Sequence, residues 1–228
     1  MSDVQTSYDL QCRLPEVRDQ GPRPTCLAFA VSDAHSAHRS TAEPFSVEYL
    51  FYHSVQLSHK DPRLGATVAH TRATLQARGQ PVESDWPYAM VAPESLLGAW
   101  NDPTTTQSCY KRLSSETSAD WGQIVGSLKD GKPVVAIVDL SPSFYFPVEG
   151  IIDIAANERA TGIGRHAVLI VGAGKVDGQD ALLIRNSWGP GWGIEGYAWM
   201  TWADASSFLL SMVLLGDDPD VLANTAAA

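Results

Sequence analysis

The stretch Gln20-Gly21-Pro22-Arg23-Pro24-Thr25-Cys26-Leu27-Ala28-Phe29-Ala30 decides how this chain is read. A loop of Gly and Pro ends at a cysteine, and an apolar run that suits a buried helix begins there, with Thr25 as its N-cap. A thiol at a helix N-terminus lies in the positive end of the helix dipole, which favours thiolate and so activates the sulfur. Far downstream come Arg165-His166-Ala167-Val168-Leu169-Ile170-Val171-Gly172 and Arg185-Asn186-Ser187-Trp188-Gly189-Pro190-Gly191-Trp192-Gly193. A histidine heading a buried strand can act as a base, and an asparagine beyond it can orient that base. Together they form the pattern of a thiol acyl-transfer site.

Around these blocks the periodicity predicts a helical half followed by a β half. Helices are expected from Thr25 to about Arg39, from a Ser46 cap onward, and from Val68 to Arg78 with Gly79 closing the third. Residues 93–118 are rich in Ser, Thr and Pro and read as a connection. A short helix over Trp121 to Lys129 precedes five β-prone runs: Pro133 to Leu140, Ile151 to Ile154, His166 to Val171, Ala181 to Arg185 and Gly196 to Met200.

These blocks, in this order, resemble the papain-like cysteine peptidases, and the resemblance runs from about Leu14 to about Trp202. His166 follows Cys26 by 140 residues, inside the roughly 130–150 of that family. Asn186 follows at 160. Ser46-Val47-Glu48-Tyr49-Leu50 looks like the family's second helix, and Glu83-Ser84-Asp85-Trp86-Pro87-Tyr88 looks like its Glu-x-x-Tyr-Pro-Tyr segment.

The resemblance implies an α+β, papain-like two-lobe fold as one domain. A helical lobe over about 20–115 and an antiparallel barrel-like β lobe over about 116–215 would enclose the cleft. A lead-in over 1–19 and a disordered tail over 217–228 complete it. It also implies roles: Cys26 as nucleophile, His166 as base and then acid, Asn186 as the group that orients it, and Gln20 as oxyanion donor beside the Cys26 amide. Trp188 would cover the His166–Asn186 bond, Gly65 would pair its backbone with an extended substrate, and Ala167 with residues 133–136 would line an apolar subsite. The expected reaction is peptide hydrolysis through an acyl-enzyme, as a restricted endopeptidase. Ligation or deamidation on the same site, or a peptide-binding pseudoenzyme, are the alternatives.

Composition sets the class. With 228 residues, 44% hydrophobic and 18% charged, the chain is a globular protein large enough for a substantial core. A net charge of −10 disfavours nucleic acid and anionic membrane as partners; the expected partners are a peptide or protein substrate and a regulatory or inhibitory protein. No metal site or cofactor is expected: His35 and His38 sit at i, i+3, but no Cys or carboxylate pattern completes a site, and His35, His38, His53, His59 and His70 read as ordinary polar positions. Met1 to Tyr8 carries neither a basic region nor an apolar core, and with 19 residues before Gln20 no inhibitory propeptide is expected. Arg23 stands where the resemblance implies a disulfide cysteine, and the Gly-Cys-x-Gly-Gly segment of the partner cysteine is absent near Leu64-Gly65-Ala66-Thr67. Both losses together point to a reducing, cytoplasmic setting, with leaderless export as the alternative. Leu27, Pro24 and Arg165 depart from the family pattern at the cleft. Arg18, Arg23, Arg165 and Arg185 are all expected near it, which favours acidic substrates.

Overall fold

The computed structural model describes residues 2–39, 43–91, 108–155, 158 and 164–219. Most of the 93–118 connection and the end of the tail lie outside the described residues.

Three helices stack at the N-terminal side: α1 (Cys26–Arg39), α2 (Val47–Ser58) and α3 (Val68–Ala77). The α1 residues from Leu27 to Ala37 are all buried. A helix enclosed all round carries its small residues, Ala28, Ala30, Ala34 and Ala37, where neighbours approach closely. Thr25 starts α1 through its carbonyl, which accepts from the Phe29 amide at 3.0 Å, but its hydroxyl bonds Tyr88 instead of capping. Ser46 caps α2 by accepting from the Tyr49 amide, Thr67 caps α3 through His70, and Gly79 closes α3 at φ +77°.

An eight-stranded sheet holds the rest. Its strands are β1 (Val4–Asp9), β2 (Ser114–Thr117), β3 (Val134–Asp139), β4 (Ile151–Ile152), β5 (Arg165–Val176), β6 (Gln179–Arg185), β7 (Tyr197–Thr201) and β8 (Leu209–Leu215). The order is β2-β8-β3-β5-β6-β7-β4, with β1 added to the far half of β5. All ladders are antiparallel except β4 with β7, which is parallel. Helices α4 (Trp121–Lys129), α5 (Pro142–Tyr145) and α6 (Trp202–Phe208) pack around this sheet.

Two cores meet on β3 and β5. On β5, Val168 and Ile170 enter the core inside the sheet, whereas Ala167, Leu169 and Val171 face α1 and α2. Val134, Ala136 and Val138 of β3 divide from Val135 in the same way. A strand covered on both faces loses the apolar–polar alternation of a half-exposed one, so it reads as one apolar run. The α1 helix, bearing Cys26, is thereby pressed against the strand that begins at His166.

Five elements escaped the sequence reading: β1, β8, α5, α6, and β2, which lies inside the stretch read as a connection. β1 is exposed along nearly its whole length and pairs through its backbone, so it shows no hydrophobic pattern. The run Leu209–Leu215 is Leu-rich without alternation, and α6 precedes it directly. Strand β5 also continues five residues past the expected end, to Val176.

Candidate active site

Cys26 is the first residue of α1, half-buried, and His166 is the second residue of β5. Both line one cleft of about 350 Å³. The register of β3 on β5 sets Val138 opposite His166 and Ile137 opposite Ala167, so the imidazole is held by two flanking ladder pairs. Burial pushes the Cys26 thiol up, opposed by the backbone amides of Ala167, Leu27 and Cys26 itself. The Ala167 contact ties the thiol on α1 to the strand that carries the imidazole.

His166 is 5% exposed, and its Nε2 donates to Asn186 Oδ1 at 2.7 Å. The same oxygen accepts the Ser187 amide at 2.8 Å. Because that oxygen serves two donors, Nε2 carries the proton and Nδ1 is the nitrogen left unprotonated. Burial lowers the His166 pKa to about 4, with the Asn186 hydrogen bond opposing. Asn186 Nδ2 is buried without a hydrogen-bond partner among the described residues, so within them the amide is held through its oxygen.

Aromatic rings close over this pair. Trp188 lies 4.6 Å from the His166 ring, Tyr145 stacks on Trp188 at 5.1 Å and 19°, and Phe144 meets it edge-on at 5.7 Å. Trp192 donates through Nε1 to the Phe144 carbonyl at 2.9 Å, which anchors α5. A hydrogen bond shielded from water in this way is electrostatically stronger.

Gln20 is 7% exposed and doubly anchored. Ser187 Oγ donates to its Oε1 at 2.6 Å, and its Nε2 donates to the Arg23 carbonyl at 2.8 Å. An amide nitrogen has two protons, so one is left over after the bond to Arg23. Gly65 lies in the same cleft, buried, at φ +79°, with the Pro24 carbonyl 3.1 Å from where a Cβ would stand. Only glycine takes that conformation and that approach together without strain.

Cys26, His166, Gly65 and Ala167 line one cleft, whereas Asn186 and Gln20 do not line it: Asn186 reaches it through its bond to His166, and Gln20 is joined to the same segment through Ser187. Trp188 belongs to the cover over His166 and is not among the residues lining the cleft. Residues 133–136 do not line it either; its apolar walls come from Leu27, Leu64, Val68, Ile137 and Ala167. The reason is register, since β3 reaches the cleft only at its end, opposite Ala167.

Three of the four arginines expected near the cleft are committed elsewhere. Arg23 pairs with Glu48, Arg185 with Asp33, and Arg18 with Asp33 and Glu83. Arg165 alone lines the cleft, 76% exposed and 3.7 Å from Asp139. Of the five histidines expected at ordinary polar positions, His35 is fully buried, stacked on Phe45 at 4.0 Å, with Nδ1 bonded to Gln80 Oε1 at 3.1 Å. Cys12, Cys26 and Cys109 are all free thiols, so Cys12 and Cys109 form no bridge. Among the described residues no group of three or more His, Cys, Asp or Glu could hold a metal ion, and no helix is long and apolar enough to cross a membrane.

Sequence reasoning missed Ser187 and Tyr88. Ser187 orients Gln20, and the Asn-Ser-Trp run was the signal for it. The Tyr88 hydroxyl donates to the Gln20 carbonyl at 2.7 Å, a contact that no spacing rule announces across 68 residues.

Comparison with known proteins bears on this geometry. The family model for the papain family cysteine proteases matches residues 3–212. A cysteine protease of Blomia tropicalis is 27% identical over 83% of this chain and 58% of its own length. A cathepsin L-like proteinase of Fasciola hepatica is 25% identical over 80% of this chain and 55% of its own. The chain thus spans little more than half the length of these relatives. Among solved structures, xylellain, a cysteine protease from Xylella fastidiosa, superposes with a TM-score of 0.76 at 24% identity, covering 93% of this chain and 86% of that one. The Carica candamarcensis cysteine protease CMS1MS2, solved in complex with E-64, gives 0.72 at 21% identity, over 94% and 99%. The structural likenesses establish the papain-like α+β fold, and the family match over most of the sequence establishes descent: the chain belongs to the papain family of cysteine proteases.

Proposed function

We propose that this chain is a cysteine endopeptidase that hydrolyses extended peptides through a Cys26–His166–Asn186 site and an acyl-enzyme. The observation that carries the reading is the buried 2.7 Å bond from His166 Nε2 to Asn186 Oδ1, on an imidazole that shares its cleft with the α1 thiol.

Burial opposes charge on each group separately, with the thiol raised and the imidazole lowered to about 4. His166 takes the thiol proton as sulfur attacks the peptide carbonyl. The C–S bond forms while the carbonyl π pair moves to oxygen, where the Cys26 amide and the second Gln20 Nε2–H stabilise the oxyanion. The imidazolium then protonates the leaving amine as the C–N bond breaks. Water, deprotonated by His166, attacks the thioester, and the released sulfur recovers its proton.

The walls of the cleft favour an apolar side chain on the acyl side. Arg165, the one charged side chain among the cleft's described lining residues besides the titratable His166, favours a carboxylate near the scissile bond. An exposed pair is worth about 0–1 kcal/mol, so the selectivity is a few-fold. Three free thiols support a reducing, cytoplasmic setting. A peptidyl-epoxide probe should label Cys26 in the wild type and nothing in Cys26→Ala, with amine products released from peptide substrates. Labelling of Cys12 or Cys109 instead sinks the site, and ligated or deamidated products sink hydrolysis. Arg165→Ala should remove the preference for Glu over Gln peptides; equal rates in the wild type dispose of that preference.

A further inference from the structure

We propose that the buried Arg23–Glu48 ion pair is a clamp that sets the oxyanion loop, and that Arg23 and Glu48 are positioning residues for Gln20. The proposal rests on the peptidase reading and adds to it the device that holds the loop where no disulfide does.

Arg23 and Glu48 are 2% and 1% exposed. The guanidinium grips the carboxylate as a fork, Nη1 to Oε2 at 2.5 Å and Nη2 to Oε1 at 2.9 Å. Nη1 also donates to the Ala89 carbonyl, and the Ala89 amide returns a bond to Glu48 Oε2 at 3.2 Å. The Tyr88 ring packs 4.9 Å from the guanidinium. Three elements thus converge on one arginine: the loop before α1, α2, and the segment through Tyr88 and Ala89.

That arginine is linked to the oxyanion donor by two short paths. Its own carbonyl accepts Gln20 Nε2 at 2.8 Å. Tyr88, stacked on its guanidinium, donates to the Gln20 carbonyl at 2.7 Å and shares a 2.8 Å bond with Thr25 Oγ1. Both ends of the loop, Gln20 and Thr25, therefore hang from Tyr88, while its middle is fixed to α2 through Arg23. A donor contributes to catalysis only when it is held where the oxyanion will form, so loosening the loop should lower kcat and leave KM nearly unchanged. A fork of ionic hydrogen bonds is indifferent to thiol reductants, which a disulfide in the same place would not be.

The test is the double variant Arg23→Met/Glu48→Leu, which removes both charges and so avoids leaving one buried alone. It should melt within a few degrees of wild type, lose about tenfold or more in kcat with KM within about twofold, and alkylate Cys26 with iodoacetamide at close to the wild-type rate. Arg23→Lys, which keeps the charge without the fork, should fall between the two. Independently of turnover, the side-chain amide NMR signals of Gln20 should broaden in the double variant. Wild-type kcat in the double variant, a loss carried by KM, or unbroadened Gln20 signals would each overturn the clamp. A wild-type protein without peptidase activity would sink the peptidase reading instead, and the NMR comparison would still decide the clamp.

Discussion

Asn186→Ala probes the bond on which the proposed chemistry turns. Truncation removes an oxygen that accepts from His166 Nε2 at 2.7 Å and from the Ser187 amide at 2.8 Å. It forfeits nothing on the nitrogen side, because Nδ2 has no hydrogen-bond partner among the described residues. Both residues are nearly enclosed, His166 at 5% and Asn186 at 3% exposure, so water does not readily replace the acceptor. Leaving a buried donor unmet costs about 1–3 kcal/mol, and roughly 1.36 kcal/mol is tenfold in rate. The bond is stronger to imidazolium than to imidazole, so the loss falls on the transition state, and kcat should drop about 5- to 150-fold with little change in KM. The assay is steady-state turnover of a fluorogenic peptide, with thermal melting to confirm the fold. A kcat within twofold of wild type, or a loss carried by KM, would refute the assignment of Asn186.

Three further outcomes are expected. Activity should fall as pH drops through about 4, because the imidazole held low by burial then binds a proton and cannot take one from the thiol; an acid limb centred near the ordinary histidine value of about 6.5 would contradict this. Burial similarly holds His35 down to about 3, with the Gln80 bond opposing. The unfolded chain therefore binds more protons below pH 6.5, and the folded state loses stability as pH falls from there toward 3, by up to about 5 kcal/mol from this group. In His35→Gln the melting temperature should vary less over that window, with His38 and His166, both held down to about 4 by burial, supplying the rest; an unchanged slope counts against the assignment. Gly174→Ala should lower the melting temperature by about 2–10 °C through roughly 1–3 kcal/mol of overpacking. The new Cβ would lie 2.2 Å from the Gln5 carbonyl on β1, and an unchanged melting curve would mean that β1 does not pair there.

The first three helices were legible from their caps and apolar content, and the doubly covered strands β3 and β5 from their unbroken apolar runs. Ser46, Thr67 and Gly79 mark ends that depend on side-chain or φ requirements of one residue, and such signals are local. β1 was not legible, since an exposed strand held by backbone bonds places no demand on its side chains. The arginines mislead for the opposite reason. A formal charge is visible in the sequence, but its partner is not: Arg185 meets Asp33 across 152 residues and Arg23 meets Glu48 across 25.

By itself the sequence pointed to the family and the fold class and singled out Cys26, His166, Asn186 and Gln20 as candidates, because each occupies a local setting of helix start, strand start or glycine turn that few residue types tolerate. Tertiary structure alone decided which cation faces the cleft, which residues wall it, and that Arg23 is paired with Glu48. Those outcomes depend on distances between segments remote along the chain, and burial energies select them only once α1 is seated on β5.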